Sequence, residues 1–402
     1  MEESKKGRIA WIENAYVFLM IFVIIGHLDT IDTKGKIIVI SSSVKLFVYS
    51  FHMMAFSLLS GYLSQHDSFE KSFLKVVRKV IPPFVIFALI FSSLLSVIWQ
   101  RPISFWDLPG GTWYLFSWAC WLLLIGKYQE MMISLLKENY KRWMIWSSIV
   151  LAVLVGYADC SSVSMLYRAF ALFPFFVIGY VVDLDSFVST LRKKKLYLVA
   201  ILMISLYLII CYSITDRLSM VSAVFYGGNN NRLAVSTGPI FPLMYVVDVF
   251  SRLVFYLISL LMVFAFFIIV PKKEIFIGGL SLTKRAEFRM YSYLLHSLLL
   301  YIMYFVLLHV GDWSNLLIQV GFWLSVGVEY YLKFICGVNQ AANLAALISR
   351  EIVTITFFLL FSFGVFWLTT WKPVVIIFEP IIDSVAFFSR HQLPRWLRKR
   401  II

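Results

Sequence analysis

The chain alternates long apolar runs with short basic connections. Runs close to the ~20 residues that cross a bilayer as a helix fall at 9–28, 38–64, 80–99, 113–126, 143–157, 165–183, 196–213, 240–270, 288–310 and 352–371. The fourth and fifth are short, and the eighth is long enough to tilt or break. The stretch 313–337 carries Gln319, Glu329 and Lys333 among its apolar residues, and reads as an interfacial, re-entrant or spanning segment. No second soluble domain, low-complexity tract or internal repeat stands out. The expected fold is all-α: a polytopic integral membrane protein of about ten transmembrane helices. The transmembrane domain covers 1–371, and 372–402 forms an amphipathic, basic cytoplasmic tail.

Composition agrees. Of 402 residues, 61% are hydrophobic and 14% charged, with mean hydropathy +0.84, too little charge to cover a soluble surface. Cys120, Cys160, Cys211 and Cys336 lie far apart without CxxC spacing, so buried structural thiols are expected rather than a disulfide framework or a metal site. The start, "MEESKKGRIAWIENAY", is basic and then apolar like a secretory signal. Glu13 and Asn14 interrupt the run, no small-x-small cleavage site follows, and the segment reads as an uncleaved first span.

The net charge of +14 raises nucleic acid as a partner, but its distribution answers otherwise. With ten spans and the amino end inside, the inner connections hold clusters such as Lys71, Lys75, Arg78 and Lys79, or Arg192 to Lys195. The outer ones hold only scattered cations such as Lys34, Arg101 and Arg217. That asymmetry places both termini in the cytoplasm, and makes the "RKKK" run at 192–195 a topology determinant. No nucleic acid is expected. His27 then lies near the outer end of the first helix and Glu13 near its inner end.

A charge at mid-bilayer costs about 2.5–3.5 kcal/mol on insertion scales, so each polar residue there needs a reason. Asp248 and Arg252, four residues apart, neutralise one another on one helix face, and Lys45 snorkels outward. Arg168 has no local partner and must find one on another helix; a structural and an active-site role are both open. His27 near the outer face, with His52 and His296 near mid-depth, suggests a polar passage of imidazoles at staggered depths. Imidazole accepts and returns protons near neutrality.

"RIAWIENAYVFLMIFVIIGH" (8–27), "SFHMMAFSLLSGYL" (50–63), "RKVIPPF" (78–84), "GTWYLF" (111–116), "RAFALFPFFVIGYV" (168–181) and "MYSYLLH" (290–296) together resemble the acyltransferase type 3 family, in its fucose-4-O-acetylase-like branch. The resemblance covers roughly 8 to 310. It implies ten membrane helices in a bacterial cytoplasmic (inner) membrane, and transfer of an acetyl group from acetyl-CoA to a sugar hydroxyl of a capsule, O-antigen or exopolysaccharide, free or lipid-linked. It assigns His27 as the catalytic base. Arg168 matches the family's arginine and is placed to orient the acceptor or stabilise the oxyanion. Arg78 and Lys79 are candidate donor-phosphate holders, with ordinary flanking charges as the alternative. Ser60, Gly61 and Tyr62 match a turn where small residues permit close helix approach. Glu13, His52, Trp113 and His296 complete the site's surroundings, with Trp113 favoured as an interface anchor over a sugar-stacking ring.

One departure matters. The family carries a cation eleven residues before the histidine, about 16 Å of helix below it; here that residue is Tyr16. Tyr16 therefore stands at an expected donor-binding position without the charge, and Arg8 or Lys75 is the expected substitute. The competing readings are a polysaccharide polymerase, a lipid-linked-sugar flippase and a catalytically inactive relative. A polymerase calls for a large arginine-bearing outer loop; the connection 213–239 carries just Arg217 and Arg232.

Overall fold

The computed structural model describes residues 9–27, 39–99, 112–157, 164–214, 241–310 and 341–382. Helix α1 (Ala10–His27) lies in the middle of the bundle, buried along most of its length. It is followed by α2 (Val39–Tyr49), α3 (His52–Tyr62), α4 (Phe69–Lys75), a π-helical turn (Val76–Val80) and α5 (Ile81–Trp99). Then come α6 (Thr112–Leu136), α7 (Tyr140–Val155), α8 (Ser164–Val181), α9 (Leu184–Lys193), α10 (Tyr197–Ser213) and α11 (Phe241–Ile269). A two-stranded hairpin (Phe276–Ile277 and Leu280–Ser281) and the single turn α12 (Leu282–Arg285) lead into α13 (Arg289–Val310), α14 (Ala341–Thr369) and α15 (Lys372–Ile382). Among the described residues, four segments are long and apolar enough to cross a membrane, or up to six if each of two bent pairs is one span. The bent pairs are α8 with α9, at 81°, and α14 with α15, at 66°. The expected segment 313–337 and loop 213–239 lie almost wholly outside the described residues.

The expected span 38–64 is not one helix. It breaks at Ser50 and Phe51, where Phe51 leaves helical geometry at φ −144°. A break inside hydrocarbon strands backbone groups unless protein meets them. Here the buried Ser259 hydroxyl on α11 donates to the Ser50 carbonyl at 2.6 Å, and Ser50 Oγ turns back to the Phe47 carbonyl at 2.7 Å. The π turn has a chemical cause too. Pro82 and Pro83 lack the N–H groups that Arg78 and Lys79 carbonyls would accept from, and the Ile81 N–H instead reaches Val76, five residues back.

Helices α3 and α8 touch backbone to backbone. A Cβ on Gly61 would overlap the Phe176 carbonyl, and one on Gly179 would overlap the Leu58 carbonyl, so the small-residue reading of the "SGY" turn holds. Gln65 then donates to the Gly179 and Val182 carbonyls at 2.9 and 2.7 Å, closing the end of α8.

The amino-terminal end of α1 is fixed by Asn14, which is fully buried. Its amide donates to the Pro271 and Lys273 carbonyls, both at 2.8 Å, and accepts from Thr283 Oγ1 at 2.6 Å. Trp11 Nε1 donates to Asp185 at 2.7 Å. Arg192, from the basic run, does more than set topology. It is 4% exposed, lies over the Trp11 ring at 5.4 Å and donates to the Phe267 and Val270 carbonyls, capping α11 with a guanidinium where the helix dipole is negative. The basic connections 182–195 and 271–289 thus gather where α1 begins, and His27 sits at its far end. Asp248 lies outside the described side chains; Arg252 is buried, over the Tyr256 ring at 5.9 Å.

A methyl added at Gly61 or Gly179 has nowhere to go, and overpacking of this kind costs about 1–3 kcal/mol or more. Gly61→Ala and Gly179→Ala should lose the monodisperse peak of the detergent-solubilised protein in fluorescence-detected size exclusion. Gly126→Ala, whose new methyl meets nothing closer than Phe69 Cβ at 3.9 Å, should leave it unchanged.

Candidate active site

All three predicted histidines use one device. His27 Nδ1 lies 2.8 Å from the Val23 carbonyl, His52 Nδ1 2.6 Å from Val48 and His296 Nδ1 3.0 Å from Ser292, each acceptor four residues earlier in the chain, with Val48 on α2 across the break from His52. A carbonyl only accepts, so each Nδ1 carries the proton, and each Nε2 presents a lone pair. Their surroundings differ. His52 and His296 are 1% and 0% exposed; Ser297 Oγ lies 3.2 Å from His296 Nε2. His27 is half-buried at the carboxyl end of α1.

The imidazoles are not staggered across the membrane. The His27 and His296 rings meet edge to face, centroids 5.1 Å apart. Tyr49 lies between His27 and His52, at 6.3 and 5.3 Å, and its hydroxyl donates to the Gly26 carbonyl at 3.0 Å. Tyr49 and His52 flank the break at Ser50 and Phe51, which ends α2 and begins α3. His296 comes up from α13, which runs alongside α1 in the same direction: its start meets Tyr16 and its histidine meets His27.

Arg168 on α8 joins the same group. Its guanidinium lies 5.1 Å from the centre of the Trp113 ring, and its positive charge and that of Lys45 act on His27. Lys45 therefore faces the site's field instead of only snorkelling away. Trp113 is half-buried, edge-on to Tyr114 at 5.9 Å, and its ring supports Arg168; the expected role of a plain interface anchor does not describe it.

Below this cluster a column of polar aromatics follows the face of α1. Tyr293 lies 6.1 Å from His296 and 5.8 Å from Tyr114. Ser60 Oγ bonds Tyr114 Oη at 2.9 Å. Tyr16 is 3% exposed, and the guanidinium over it, 4.3 Å from the ring centre, belongs to Arg289. Glu13 Oε2 lies 3.7 Å from the same guanidinium. The cation absent from α1 thus stands on α13. Lys75 is engaged with Asp67 at 3.2 Å and does not substitute for it; Arg8 lies outside the described residues. Arg78 and Lys79 sit on the π turn, half-buried and exposed respectively, and are not drawn to the histidines.

Of the residues expected from the sequence, the structure brings together His27, His52 and His296 and Arg168 with Trp113; Tyr49, Tyr114, Tyr293 and Arg289 were not singled out. The signal for two of them was present: Arg289, Tyr293 and His296 follow at spacings of four and three, one face of a helix. No group of three or more metal-ligating side chains exists among the described residues.

A comparison with protein families matches the acyltransferase domain of the type 3 family over residues 9–334. Neither the curated proteins nor the solved structures contain a significant match. The match spans most of the chain, including every element that builds the histidine cluster, and the helices are those of a multi-pass membrane protein. The chain belongs to the acyltransferase type 3 family and is a membrane acyltransferase.

Proposed function

We propose that this enzyme moves an acetyl group from cytoplasmic acetyl-CoA to a sugar hydroxyl of a surface polysaccharide, free or lipid-linked, in a bacterial inner membrane. The observation that carries the reading is His27: a half-buried imidazole whose Nδ1 is committed to the Val23 carbonyl, edge to face with His296 and within the field of Arg168, at the end of α1 opposite the basic connections. A sugar hydroxyl is a poor nucleophile and needs a base as it attacks.

The steps balance without a further reagent. The hydroxyl oxygen attacks the thioester carbonyl while His27 Nε2 takes its proton. Arg168, held over Trp113, stabilises the negative charge developing on the carbonyl oxygen. The carbon–sulfur bond then breaks, and the His27 proton passes to the departing thiolate. The Val23 carbonyl keeps the ring in the tautomer that can accept, and the adjacent His296 ring fixes its rotation. The donor's nucleotide is too polar to enter the hydrocarbon and stays at the basic end, where Arg78 and Lys79 are the proposed phosphate contacts.

Two outcomes test this. Deleting the gene should remove the O-acetyl signals from the NMR spectrum of the surface polysaccharide, and restoring the unaltered chain should return them. Restoration with the His27→Ala chain should not, since loss of a general base lowers the rate by about 10²- to 10⁴-fold. Unchanged acetylation after deletion would remove the reading; shortened polymer with acetyl intact would favour a polymerase. Arg168→Gln should lower kcat by about 10²-fold, the usual loss for one oxyanion donor, with little change in folded yield.

A further inference from the structure

The Glu13–Arg289 pair is a poor salt bridge in a place where a good one would be expected. Its closest approach is 3.7 Å, beyond hydrogen-bonding distance. Glu13 Oε2 is buried with no hydrogen-bond partner among the described residues. Arg289 has five N–H donors, yet among the described residues its hydrogen bond is a single one, to the Ala286 carbonyl at 3.1 Å. Leaving a buried acceptor unmet is costly, and a guanidinium 36% exposed was free to close the gap. Instead it lies over the Tyr16 ring. An acceptor, a set of unused donors and an aromatic surface are therefore held apart at one depth.

A phosphate does not suit this arrangement, because Glu13 would repel it. A secondary amide does: its carbonyl accepts from Arg289, its N–H donates to Glu13, and its flat face rests on Tyr16. We propose that Glu13, Tyr16 and Arg289 grip an amide of the pantetheine arm of the acyl donor, namely the amide farther from sulfur; this rests on the acyl-CoA reading above.

The length fits. Tyr16 and His27 are eleven residues apart, about 16 Å along the helix. From that amide to the sulfur, an extended chain of eight bonds covers about 10 Å, taking peptide-like reach of about 3.5 Å for every three bonds. The attack distance and the hydroxyl-to-imidazole hydrogen bond, about 3 Å each, take up the remainder. The nearer amide would leave the thioester short of His27, and a diphosphate at Arg289 would carry it past. Between the two ends, Tyr114 and Tyr293 give the arm an aromatic wall. Arg289 is thus a donor-positioning residue that supplies, from α13, the charge α1 lacks at Tyr16.

Calorimetric titration of the full chain in lipid nanodiscs tests this, with CoA, pantetheine and N-acetylcysteamine as probes. Pantetheine lacks the phosphates but keeps both amides; N-acetylcysteamine keeps the nearer amide alone. Arg289→Gln should weaken CoA and pantetheine by the same factor, about ten- to a hundredfold for a charge-assisted hydrogen bond, and leave N-acetylcysteamine unchanged. Glu13→Gln should show the same pattern more weakly, and Arg289→Lys should fall between. Size exclusion of each variant separates a lost contact from a lost fold. A penalty on CoA alone would make Arg289 a phosphate ligand and overturn the proposal, as would equal CoA binding by unaltered and Arg289→Gln chains; either leaves the acetyl transferase reading standing. An unaltered chain that binds neither CoA nor pantetheine would remove both.

Discussion

Hydrocarbon offers no partner to a hydrogen-bonding group, so every polar side chain inside this bundle must be met by protein. That constraint shapes each functional part. Asn14 satisfies its amide on Pro271, Lys273 and Thr283 and thereby fixes the amino-terminal end of α1. Ser259 meets the carbonyl freed where α2 gives way to α3. Each histidine commits Nδ1 to the carbonyl four residues before it, which decides where its lone pair points. Groups left unmet stand out against this background, and Glu13 Oε2 and His52 Nε2 are two of them.

Rigidity follows from the same packing. The contact of α3 with α8 at Gly61 and Gly179 leaves the backbones no freedom to slide, and it joins the two helices that carry His52 and Arg168. Parallel α1 and α13 hold His27 against His296 at one end and Tyr16 under Arg289 at the other. The histidine cluster is therefore set by regular elements rather than loops.

Much of this was legible in the sequence. The apolar runs mark the helices, although α14 begins well before its expected span and α2–α3 is divided. The charge asymmetry foretold that the basic connections collect at the start of α1, and the "GH" ending an apolar run marked His27. What could not be read depends on distant partners. Nothing local announces that Ser259 will accommodate a break two hundred residues earlier. Arg192 looks like a flanking charge until Phe267 and Val270 offer it carbonyls. The guanidinium over Tyr16 comes from another helix, far along the chain from anything α1 announces. The contact of His27 with His296 likewise joins two helices far apart in the chain.

The proposed chemistry turns on the state of one ring: His27 protonated on Nδ1 and bare on Nε2, ready to accept a proton from the sugar. Solid-state NMR of the chain ¹⁵N-labelled at histidine, in lipid at neutral pH and assigned by comparison with His27→Gln, reads that state. The expected His27 signals are a protonated Nδ1 and an unprotonated Nε2. A proton found on Nε2, with Nδ1 bare, would overturn the proposed role of the ring.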